Sequence, residues 1–250
     1  TGGDTNIAAT GKITMAQLSN NGGGNATINA AEIESGNIEN LAGAMNITLG
    51  GDLTSTGSIE NSGTAMTIGR QNPADVVNVS VAGTIKNDSN AGTMTMNVDS
   101  LTVSGGDASN PSFVNKGNLN LTVRGETNLA FGFDLSAMQN TNTFSLDTGT
   151  LVFGAGTNND AWLQVFSNDL NSFNLAVRQG NIDAHQIVNG TTNANANMTL
   201  LGQSITATSV ENRGNKLTMN ATDAAGTGIV VSGAVSNAAA SDTEIISAGA

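Results

Sequence analysis

Hydrophobic and polar residues alternate along this chain in short stretches, and the stretches return at intervals. An apolar residue, any residue and an asparagine recur as Leu18/Asn20, Ile38/Asn40, Ile59/Asn61, Ile85/Asn87, Phe113/Asn115, Met138/Asn140, Phe166/Asn168, Ile187/Asn189, Val210/Asn212 and Val235/Asn237. The mean step between these asparagines is about 24 residues, inside the range of stacked solenoid repeats. A few residues after most of them comes an alternating apolar pair: Met45 and Ile47, Met66 and Ile68, Met94 and Met96, Leu119 and Leu121, Phe144 and Leu146, Phe173 and Leu175, Met198 and Leu200, Leu217 and Met219. A second pair usually follows, as Val79 and Val81, Leu101 and Val103, Leu129 and Phe131, Leu151 and Phe153, or Ile229 and Val231. Period-two alternation over short runs predicts strands and argues against helices.

Three short strands per repeat describe one triangular coil. The expected fold is all-β: a single-stranded parallel β-helix, or β-solenoid, of about ten coils of roughly 24 residues, one domain over 1–250. Successive coils stack about 4.8 Å apart, so like side chains sit above like. Met45, Met66, Met94, Met198 and Met219 are expected to form one buried column, methionine being a flexible filler of irregular interiors. The ten asparagines are expected to form a ladder at one corner, each carboxamide bonding the next or capping bare turn amides. A bulkier section spans 126–180, where Phe131, Phe133, Phe144, Phe153, Phe166, Phe173 and Trp162 gather. Within it, a loop over 154–162 would offer Asp160 and Trp162 as a surface contact for a glycan or a neighbouring protein.

Composition narrows the partners. Charged residues make up 11% of the chain, well below the roughly 25% of an ordinary globular domain, and 31 glycines accompany abundant asparagine, as many turns require. A formal net charge of −12 with scattered Lys and Arg removes nucleic acid and anionic membrane surfaces as partners, since both need a basic patch. With no cysteine there is no disulfide and no thiolate metal site. No apolar run reaches the length of a membrane-spanning helix, so membrane insertion is not expected. The chain opens Thr1-Gly2-Gly3-Asp4 without Met, as a processed protein or an excised segment would.

Candidate chemistry is sparse. Glu32, Glu34, Glu39 and Glu60 come from early coils, with Glu39 and Glu60 in the same place before the repeat asparagine; they read as a solvated acidic edge rather than a divalent-ion site. His185 is the only histidine and supports neither a triad nor a zinc site alone. Ser104-Gly105-Gly106-Asp107 resembles a fragment of the glycine-rich calcium nonapeptide, but that signal needs tandem copies and appears once. Thr54/Thr56, Thr93/Thr95 and Thr206/Thr208 are not equivalent along the repeat, so no flat threonine face is expected from them. No catalytic residue, cofactor or metal is assigned.

In Phe113-Val114-Asn115-Lys116-Gly117-Asn118-Leu119-Asn120-Leu121 and Val210-Glu211-Asn212-Arg213-Gly214-Asn215-Lys216-Leu217-Thr218-Met219 the chain resembles filamentous-haemagglutinin-type bacterial exoproteins, whose repeats carry the same apolar-x-Asn-x-Gly pattern. The resemblance covers most of 18–237 and implies a right-handed coil, export across a bacterial outer membrane and a role in adhesion or surface structure. The Asn-Pro-Asn motif of that family's secretion module is not matched by Asn72-Pro73-Ala74 or Asn110-Pro111-Ser112. The expected function is therefore a non-enzymatic extracellular structural or adhesive β-solenoid of a bacterial surface. It would self-associate end to end into a filament or form part of a longer rod. Its partners would be other copies, head-to-tail or lateral, and host or matrix glycans. The alternatives are a carbohydrate-active or carbohydrate-binding β-helix with its site near Trp162, and a phage or viral fibre segment.

Overall fold

Backbone hydrogen bonds run from each strand to the strand one coil away, and every pairing is parallel. The computed structural model describes residues 3–107, 110–135, 138, 142–153, 172–189, 195–223, 225, 228–238 and 242–248. They form an all-β parallel solenoid with about 24 residues per turn. Among the described residues there is no helix. Ten coils were expected; about eight turns carry their corner asparagine among the described residues, because Asn140 and Asn168 lie outside them.

Three walls enclose the interior. The first follows each corner asparagine: Thr5–Ala8, Ala26–Ala30, Ala44–Leu49, Ala65–Arg70, Thr93–Val98, the first half of Asn118–Leu129 and of Thr143–Phe153, Ser172–Val177, Asn197–Gly202, Lys216–Ala221 and Asp242–Ser247. The second includes Leu53–Ser55, Asn78–Val81, Ser100–Val103 and Ile229–Val231. The third carries the apolar-x-Asn element, as in Ile59–Asn61, Ile85–Asn87, Phe113–Asn115 and Val235–Asn237. Elsewhere one strand rounds a corner and serves two walls, as Lys12–Asn20, Glu32–Asn40 and Ile205–Asn212 do.

Alternation decides what faces in. On the first wall one interior column runs Met45, Met66, Met94, Leu119, Phe144, Phe173, Met198, Leu217, and the next runs Ile28, Ile47, Ile68, Met96, Leu121, Leu146, Leu175, Leu200, Met219. Nearly all of these are withdrawn from water, and each contributes roughly 1.5–3 kcal/mol by burial. Met219 therefore does not share a column with Met45, contrary to expectation. Its register partner is Leu200, and Leu217 takes the methionine place, since both apolar positions of the strand point inward and residue type alone does not distinguish them. Phe113, Phe133, Phe144 and Phe173 form a continuous interior file with ring centroids 5.4, 5.6 and 5.0 Å apart, the last pair stacked.

Two further expectations move. The inward pair on the second wall of the sixth coil is Thr127 and Leu129, opposite Leu101 and Val103, not Leu129 and Phe131. A polar residue is tolerated inside because the Thr127 hydroxyl meets that of Thr148 at 2.9 Å. On the third wall Phe113 pairs with Phe133 and Val114 with Asp134, so the sixth rung lies five residues before the expected Met138. Met138 is nonetheless buried, its amide donating to the Leu135 carbonyl at 3.1 Å.

Candidate functional site

The corner asparagines stack in register: Asn20 on Asn40, Asn40 on Asn61, Asn61 on Asn87 and Asn87 on Asn115, then Asn189 on Asn212 and Asn212 on Asn237. In each step the lower carboxamide Nδ2 donates to the Oδ1 above it, at 2.9, 2.8, 2.8, 2.7, 2.9 and 2.8 Å respectively. All donors point the same way along the axis, so the amide dipoles add and each bond polarises the next. The second Nδ2 hydrogen turns to bare carbonyls: Asn20 to Ala42, Asn40 to Ala65 and Asn87 to Asn118, at 2.7, 2.8 and 3.1 Å. From Asn40 to Asn115, and at Asn189 and Asn212, the side chains are buried.

Among the described residues the ladder runs from Asn20 to Asn115 and again from Asn189 to Asn237. Asn115 gives its Nδ2 hydrogen to the carbonyl of Gly117 at 2.7 Å, and the residue after the sixth-rung pair Phe133–Asp134 is the buried Leu135, not an asparagine. At the start of the second run, Asn189 Oδ1 is buried and accepts no hydrogen bond from the described residues. Asn142, buried and not anticipated as a corner residue, donates to the carbonyls of Lys116 at 2.6 Å and Asn90 at 3.3 Å. Sequence spacing missed it because it falls outside the apolar-x-Asn frame. Asn140, Asn168, Asp160 and Trp162 lie outside the described residues.

The glycine two places after Asn61, Asn115 and Asn212 has a steric cause. A Cβ on Gly63 would collide with the Asn40 carboxamide and the Gly43 carbonyl, one on Gly117 with the Gly92 carbonyl and Asn87 Nδ2, and one on Gly214 with Ala196. The apolar-x-Asn-x-Gly pattern is therefore the print of one rung pressing on the rung below.

Charged side chains are absorbed by neighbours. Glu39 stacks on Glu60, yet Glu39 accepts from Gln17 at 2.7 Å and Asn37 at 3.2 Å, Glu60 accepts from Ser62 at 2.9 Å, and Glu34 pairs with Lys12 at 2.5 Å. Among the described residues no group of three His, Asp or Glu is arranged to hold a metal ion. His185 lies within the strand Ile182–Asn189. A shallow depression of about 290 Å³ lies on the second wall, lined by Asp183, Ala184, Thr206, Ala207, Thr208, Val230 and Ser232. No helix among the described residues is long and apolar enough to cross a membrane.

One cluster has stronger electrostatics. At the corner between the first and second walls, Asp99 pairs with Arg70 Nε at 3.1 Å and Arg124 Nε at 2.6 Å and accepts the Val77 amide at 2.7 Å. Burial pushes its carboxyl pKa up, but the bonds from Arg124, Val77 and Arg70 outweigh that and hold it at about 2. Arg124 also donates to the carbonyls of Pro73 at 3.3 Å and Asp75 at 2.8 Å, pinning the excursion over 71–76.

The outward side of the first wall differs from the other two. Its central column runs Thr27, Asn46, Thr67, Thr95, Asn120, Ser145, Asn174, Thr199, Thr218 in unbroken register. Among the described residues none of these side chains makes a hydrogen bond within the chain. In the columns on either side such bonds do occur, as from Thr48 to Asn29 and from Asn118 to Thr93. Of the expected threonine pairs only Thr93/Thr95 lies here; Thr54 and Thr206 are on the second wall. The face was missed in the sequence because asparagine, serine and threonine exchange freely along it. Compared with protein-family models, with curated proteins and with solved structures, the chain matches none.

Proposed function

We propose that this chain is a non-enzymatic structural or adhesive solenoid of the bacterial exterior, a rod that joins copies end to end into a filament or forms part of a longer rod. The observation that carries this reading is the strand Asp242–Ser247, exposed at all six positions. Ile245 is 53% exposed, although it continues an interior column in which its register partner Met219 is fully buried. A parallel edge that an apolar column reaches is a template for a further coil, whether that coil belongs to a second copy joined end to end or to a longer rod. The extracellular setting rests on the resemblance of the apolar-x-Asn-x-Gly repeats to haemagglutinin-type exoproteins.

Electron microscopy of the purified chain across a concentration series tests the reading. Threads that lengthen with concentration, and shorten to single rods in Ile245→Lys, are expected. Monodisperse single rods at every concentration overturn the end-to-end joining.

A further inference from the structure

We infer that the outward face of the first wall is a lateral docking surface for a second copy of this chain, wall against wall. The inference deepens the self-association reading above and rests on it, but it concerns the side of the rod rather than its ends.

Three observations converge on that face. The first is charge. The chain carries a net −12, and acids outside any ion pair among the described residues point outward from the other walls, at Glu126 and Asp183 on the second and at Glu39 and Glu60 on the third. On the first wall, from the rung of Thr27 to that of Thr199, the outward charge is Asp147, which Arg178 neutralises at 2.8 Å. Two acidic rods therefore approach with least repulsion along this face.

The second observation is unmet hydrogen bonding. The column from Thr27 to Thr218 presents nine hydroxyls and carboxamides with no partner in the chain. Every one of them both donates and accepts, so the column is complementary to itself in either rod direction. The third is repeat and size. A second copy has the same spacing of about 4.8 Å between rungs, so contacts made at one end stay in step to the other, as in the interdigitated interfaces between paired in-register sheets. Nine rungs of about six residues, at about 4.8 Å by 3.3 Å per residue, make a face of about 850 Å² per copy, close to the area of a standard stable interface. An isologous pairing uses the same patch on both copies and closes at two.

Small-angle scattering with cryo-electron microscopy separates this from end joining, because side-by-side pairing doubles the cross-section at constant length. The expected result is a doubled cross-section in the wild type. Thr67→Lys, Asn120→Lys and Thr199→Lys together should abolish it, cutting the paired fraction at least about tenfold, with circular dichroism unchanged and end-to-end growth retained. The control Thr54→Lys, Ser80→Lys and Thr102→Lys, on the second wall, should leave pairing intact. A single cross-section at all concentrations, or pairs that survive the first-wall lysines, overturns the inference. So does a wild type that stays single in solution yet is retained on ice or insoluble neutral polysaccharide through this face, which would give the surface a different occupant.

Discussion

A buried carboxamide is costly unless both of its ends are bonded, and the corner ladder satisfies both ends by making each asparagine the partner of the next. Asn87 shows the consequence. It accepts from Asn61 at 2.8 Å and donates to Asn115 at 2.7 Å, fully shielded from water. Asn87→Ala removes one acceptor and one donor at once, leaving Asn61 Nδ2 with a 3.4 Å contact to the Thr93 carbonyl and Asn115 Oδ1 with none from below. The expected loss is about 3 kcal/mol, from two stranded polar groups at about 1–3 kcal/mol each, read as a lower denaturant midpoint. Asn237, only half-buried, donates to the Asp242 carbonyl at 2.6 Å; its replacement by Ala should cost less than half as much by the same measurement.

At the level of elements, the Arg–Asp corner is a clamp with a defined pH range. Asp99 titrates near 2 in the folded chain, against about 3.9 when unfolded. The folded pKa is the lower one, so the carboxylate's contribution is complete above about pH 4 and is lost as pH falls towards 2. Asp99→Asn should therefore be less stable than the wild type at pH 7, and the gap between their denaturant midpoints should close between pH 4 and pH 2. A gap that persists unchanged at pH 2 would mean that the carboxylate's charge is not what holds the 71–76 excursion.

This clamp was not legible in the sequence, because Arg70, Asp99 and Arg124 come from three coils and only the register brings them together. What was legible is what repeats. The strand pairs of the first wall and the apolar-x-Asn element recur at fixed offsets, and stacking turns a fixed offset into a contact. Where a coil changes length, the offset fails: the sixth rung is Phe133–Asp134 rather than Met138, and Thr127 stands inside where an apolar pair was read two places later. Met219 failed for another reason, since its strand has two interior columns and identity alone does not choose between them. The uncharged outer face stayed hidden because outward positions obey no apolar rule and vary among Thr, Asn and Ser.

On the scale of the whole molecule, stability in a solenoid is a sum over coils and the interfaces between them, so an entire coil is a removable unit while part of one is not. The register supplies a clean excision. Ala44 pairs with Ala65, and Met45 with Met66, so deleting residues 44–64 joins Gly43 to Ala65 and brings the second coil directly beneath the fourth. Ile28 then meets Ile68, Ile38 meets Ile85 and Asn40 meets Asn87, each at a position its former neighbour already occupied. The shortened chain should fold with an unchanged strand signature in circular dichroism, and scattering should give a rod shorter by one strand spacing, about 4.8 Å. Deleting 44–54 instead removes half a coil, throws the first wall of one turn against the second wall of the next and turns interior side chains outward. That variant should aggregate or remain unfolded. Equal tolerance of both deletions would mean that the rungs are not held by register, and the stacking account of this fold would fail with it.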